Sequence, residues 1–132
     1  MSQLVQLQNK AANAINVVLA ADAGNQQRVT ISFTFNDGTA KSYVSPAGAG
    51  LGPGQERILT NDTVATILGV PAAKQINHAV VLCENNPGGG WSENTYAPFS
   101  PLPLANGVEV RSDDTPPNHV HTWVNCRASF TW

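Results

Sequence analysis

Two imidazoles one residue apart, in His119-Val120-His121, are the most conspicuous metal-ligand spacing in this 132-residue chain. On a strand they project from the same face, close enough to share an ion. His78 or a carboxylate from Glu109, Asp113 or Asp114 would have to complete the set, since zinc and copper need three or four ligands. No spacing specifies those others. The preferred reading is two surface histidines on the polar face of a strand, with no metal and no cofactor.

Other catalytic patterns are thinner. There is no serine in a Gly-x-Ser-x-Gly elbow and no His-Glu-x-x-His. The glycine-rich run from Gly48 to Gly54 lacks the Lys-Ser/Thr ending of a phosphate loop. Glu84, Glu93, Glu109 and Asp114 would make a glycosidase pair only if the fold brought two of them together. The expectation is therefore a protein that is not an enzyme.

The stretch "ENNPGGGWSENTYAPFSPLPLANG", Glu84 to Gly107, raises a different chemistry. It sits between two strand-like segments and is far longer than the usual connection. Trp91, Tyr96 and Phe99 are interleaved with amides and hydroxyls. Flat apolar rings beside such groups suit a sugar, whose C–H faces stack while its hydroxyls need donors and acceptors. Asn85, Asn86, Trp91, Glu93, Asn94 and Tyr96 are the candidate ligand-binding residues. Two other readings remain open: the rings cover the core, or they pack on a neighbouring subunit, where Trp and Tyr are enriched.

The elements that must position these residues read as strands. In "RVTISFTFNDGTAKSYV", Val29, Ile31, Phe33 and Phe35 alternate with polar residues, and Asp37-Gly38 supplies a hairpin turn. "HVHTWVNCRASFTW" alternates over 14 residues, with Val124, Cys126, Ala128 and Phe130 expected inside; that length implies a bend or bulge. "INHAVVLC" reads as a central strand buried on both faces. "ERIL" and "GVEVR" are shorter strands. "NDTVATILG" is a helix capped by Asn61 or Asp62 and stopped by Gly69. Residues 2–23 fit either an amphipathic helix or two strands around a turn; the β-branched run at Ile15 to Val18 favours strands.

The sum is an all-β, single-domain chain (1–132): an antiparallel β-sandwich, jelly-roll or Ig-like, with one short helix near 62–68. Charged residues are only 12% and the net charge is −2. The seven Lys and Arg never cluster, which excludes a phosphate-binding patch and with it nucleic acid. No apolar run approaches a transmembrane span and no secretory signal is visible. Cys83 and Cys126 are expected as buried thiols rather than a disulfide.

A weakly charged surface suits short-range contact better than electrostatic steering. The expected function is non-enzymatic surface recognition by a homo-oligomer, with a glycan as first-choice partner in a lectin-like role. The alternatives are a self-assembling structural protein of a virion shell or appendage, whose partners are like subunits, and a membrane-active cytolysin-like sandwich.

Overall fold

Alternation of buried and exposed side chains organises nearly every segment into strands, and the chain folds as two antiparallel sheets packed face to face. The computed structural model describes residues 1–52, 54–115 and 121–132. In chain order the elements are β1 (Gln3–Ala11), β2 (Asn16–Ala21), β3 (Gln26–Phe35), β4 (Ala40–Val44), β5 (Arg57–Thr63), α1 (Val64–Leu68), β6 (Gln75–Asn86), β7 (Ser92–Glu93), β8 (Thr95–Tyr96), β9 (Leu102–Leu104), β10 (Gly107–Asp113) and β11 (Cys126–Thr131).

The first sheet runs β1-β6-β3-β4, with β7 extending it beside β6. The second runs β5-β2-β11-β10-β8, with β9 also on β10. Val5, Leu7, Val29, Ile31, Phe33, Ala79 and Val81 of the first sheet meet Val17, Leu19, Val110, Ala128 and Phe130 of the second in one core. Phe33 and Phe130 cross between the sheets edge to face, ring centres 6.3 Å apart.

The β3–β4 hairpin forms as its alternation requires, but its turn sits one residue earlier than expected. Gly38 N–H bonds Phe35 carbonyl and Phe35 N–H bonds Thr39 carbonyl. Asn36 and Asp37 are therefore the central turn residues, and Gly38, at φ +86°, takes the left-handed position after them. The Asp37 carboxylate accepts from Thr39 N–H at 2.9 Å, which holds that shape.

Residues 2–23 are strands, one in each sheet, with Ile15, Val17 and Leu19 fully buried. The short helix is present, capped by Thr63 rather than Asn61 or Asp62: Thr63 Oγ1 accepts from Thr66 N–H, and Gly69 ends it at φ +64°. Asn61 and Asp62 instead pair with β2. β6 is central but not buried on both faces, since Val80, Leu82 and Glu84 are only half-covered.

The largest departure is at the C-terminus. The strand is Cys126–Thr131, not 14 residues, and Val124 is half-buried. Cys126, Ala128 and Phe130 are buried as the alternation demands. The cause lies in competing hydrogen bonds. Asn125 Oδ1 accepts from Asp114 N–H while its amide donates to Asp22 carbonyl. Asp113 takes the N–H groups of Thr122 and Trp123. Those groups are thereby withdrawn from a sheet ladder, and Trp123 leaves extended geometry at φ +58°.

Candidate functional site

The stretch from Glu84 to Gly107 is built into the sandwich. After β6 the chain turns through three glycines, returns as β7 beside Glu84 and Asn85, then steps across to the second sheet as β8 and β9. Asn86 shapes the turn, its Oδ1 accepting from Gly88 and Gly90 N–H.

Several of the six candidate residues are drawn inward. Asn94, 4% exposed, lies where the chain changes sheets. Its amide donates to Gln27 Oε1 at 2.9 Å and Ser112 Oγ at 3.0 Å, and its Oδ1 accepts from Asn85 at 2.7 Å. Gln27, fully buried, donates onward to Asp114 at 2.9 Å. This polar network is satisfied partner by partner, as a buried one must be. Tyr96 Oη accepts from Cys83 N–H and donates to Glu93 at 2.8 Å. Burial pushes the Tyr96 phenol well above its ordinary range, so its proton stays in place to donate.

Trp91 is different. It is half-exposed, and the guanidinium of Arg28 lies 4.2 Å over its ring. Arg28 Nε in turn donates to Glu84 Oε1 at 2.9 Å. A guanidinium on an indole face is worth about 0.5–1 kcal/mol at an exposed site. Trp91 thus stands at the end of a larger surface, the outer face of the first sheet.

That face is laid out by register in four rows. Arg28 pairs with Glu84 beside Trp91. Next, Leu82 lies opposite Thr30, and Thr30 opposite Val44. Then come Leu4, Val80, Ser32 and Ser42. Last come Gln6, His78, Thr34 and Ala40. Leu4 is 52% and Val44 55% exposed. The two middle rows contain only aliphatic and hydroxyl side chains. This centre was not legible from sequence, because its residues come from four strands that only register aligns.

The other candidates lie elsewhere. Glu84 and Glu93 are direct cross-strand partners, whereas Glu109 sits on the outer face of the second sheet. There Glu109 accepts from Arg111 at 2.5 Å and Ser129 at 2.9 Å, and Arg127 pairs with Glu56. Burial alone would raise Glu109, but those donors outweigh it and hold the carboxyl below its usual range.

Of the two histidines weighed as a weak metal candidate, His119 lies outside the described residues. His121 stacks on Trp123 at 4.3 Å, its Nδ1 3.5 Å from Asp113. Among the described residues no group of three or more His, Cys, Asp or Glu is placed to hold a metal, and no helix is long and apolar enough to cross a membrane. Cys83 and Cys126 are free thiols, both buried.

Comparison of the chain with protein-family models, with curated proteins and with solved structures finds no match.

Proposed function

We propose that this chain is a non-enzymatic structural β-sandwich that assembles with like subunits through the outer face of its first sheet, the role of a shell or appendage protein. One observation carries the reading: the two middle rows of that face expose Leu4 and Val44 beside Val80 and Leu82 with no charged side chain among them. A sheet face left to solvent ordinarily carries polar side chains opposite its core face. Leu4, Val80 and Leu82 adjoin one another with Val44 across Thr30, and an exposed apolar patch of this kind is a mark of a contact site.

The edges support the same partner. Lys41 lies on the free edge strand β4, and Arg57 and Asp62 on the free edge strand β5. Charges there oppose strand-to-strand addition. A neutral centre, by contrast, meets its own copy without repulsion, whereas a field of one sign would not.

Sedimentation velocity across a concentration series tests this. The wild type is expected to shift to a larger species as concentration rises. The double variant Leu4→Lys/Val44→Lys should stay monomeric with an unchanged melting temperature, because both positions are exposed. A wild type that stays monomeric throughout refutes assembly through this face.

A second reading has its own support. Trp91, half-exposed beside the Arg28–Glu84 pair, offers a stacking surface next to charged hydrogen-bonding groups, the combination a glycan uses. A glycan array on wild type and Trp91→Ala separates it: loss of a sugar signal in the variant, without change in sedimentation, favours this reading.

A further inference from the structure

Resting on assembly through the first sheet, we propose that the partner is a second copy related by a two-fold axis parallel to the strands, running midway between β3 and β6. Such a rotation keeps each row facing its own row and reverses the strand order across it. Leu82 then faces Thr30 of the copy, Val80 faces Ser32, and Leu4, on β1, faces Ser42, on β4.

Charge selects this axis. Arg28 and Glu84 lie side by side on β3 and β6, and the neighbouring Glu93, opposite Glu84 on β7, is already paired with the Met1 ammonium of its own copy. The proposed axis sets Arg28 of each copy over Glu84 of the other, so two pairs close into a ring of alternating sign. Trp91 of each copy backs its own guanidinium. The competing axis, across the strands, lays the Arg28–Glu84 row over Gln6, His78 and Thr34, where Arg28 meets no carboxylate and Glu84 meets an imidazole in place of a guanidinium. Buried charges persist in an interface when paired and are costly when not. Arg28 and Glu84 keep 32% and 16% of their side-chain surface exposed, enough to accept a second partner.

Size sets the strength. Four strands about 4.8 Å apart and four rows about 6.8 Å apart make a face of roughly 500 Å². Two copies bury about 1,000 Å², the lower limit for a specific interface. The pair is therefore weak, forming and separating with concentration. An isologous contact of this kind uses one face of each copy and leaves the second sheet free.

Crosslinking separates the axes. Leu4→Cys and Ser42→Cys each place one thiol on the exposed face, while Cys83 and Cys126 stay buried. A short bis-maleimide applied to a mixture, one variant carrying an affinity tag, should give a covalent Leu4→Cys/Ser42→Cys heterodimer. Neither variant alone should crosslink to itself, because β1 and β4 lie three strand spacings apart, about 14 Å.

Self-crosslinking of Leu4→Cys would overturn the axis while leaving assembly through the face intact. So would failure of every pair to crosslink in variants that still sediment as dimers. Variants and wild type that stay monomeric at all concentrations would overturn both this inference and the reading beneath it.

Discussion

The hydroxyl of Tyr96 accepts the backbone N–H of Cys83 at 3.0 Å, joining the second sheet to the first. The bond fills a gap in a ladder. On that side of β6, β1 reaches Val81 through Gln3, and β7 begins at Glu84 through Glu93. Cys83 lies between them, its carbonyl taken by Asn94 N–H at 2.9 Å. Tyr96→Phe leaves one buried donor unpaired and should lower stability by about 1–3 kcal/mol. Urea unfolding of the variant measures this; an unchanged midpoint would show that another group takes the proton.

Asp113 ties the segment before β11 to the sheet. Fully buried, it accepts from Thr115 N–H at 2.7 Å, Thr122 N–H at 2.9 Å and Trp123 N–H at 3.3 Å. Burial would raise its pKa, but those donors more than offset it and hold the carboxyl below its ordinary range. A folded pKa below the unfolded one means stability present above the unfolded value, near about 3.9, and lost as pH falls through the folded one. Asp113→Asn, which turns an NH₂ toward N–H donors, should therefore be less stable at pH 7 by about 1–3 kcal/mol. The gap should close below about pH 4. Urea titrations of both proteins at several pH values check the sign, and a gap independent of pH contradicts it.

Phe130 and Phe33 carry the contact between the sheets. Phe130→Ala should cost about 3–5 kcal/mol. In a double-mutant cycle with Phe33→Ala, about 0.5–1.5 kcal/mol should appear as coupling between the rings. Additive losses would place their contributions in separate parts of the core.

Cys83 and Cys126 meet inside the sandwich. The hydrogen bond between the thiols, together with burial, pushes Cys126 well above the ordinary thiol range. A thiol held protonated and out of water is a poor nucleophile. A maleimide should label neither cysteine in the native protein and both after unfolding. Labelling in the native state would show that the sheets open on the timescale of the reaction.

What was legible in the sequence followed the length of each pattern. β3 announced itself because the eight residues from Arg28 to Phe35 alternate without interruption, and β11 because Cys126, Ala128 and Phe130 do. The end of that alternation at Asn125 was hidden, since Val124 and Thr122 continue the period while the N–H groups of Thr122 and Trp123 serve Asp113. β7, β8 and β9 escaped notice for another reason. They are two or three residues long, too short to show a period, and are strands only because β6 and β10 offer edges. Trp91 was found by residue type. The surface it belongs to became visible only when register set Leu4, Val80, Leu82 and Val44 on one face.

That surface is the centre of the account, and hydroxyl-radical footprinting at low and high protein concentration examines it side chain by side chain. Leu4, Val44, Val80 and Leu82 should lose reactivity as concentration rises. Ile58 and Phe99, exposed elsewhere on the molecule, should not change. Protection appearing at Ile58 or Phe99, with Leu4 and Val44 reacting equally at both concentrations, would contradict assembly through the first sheet.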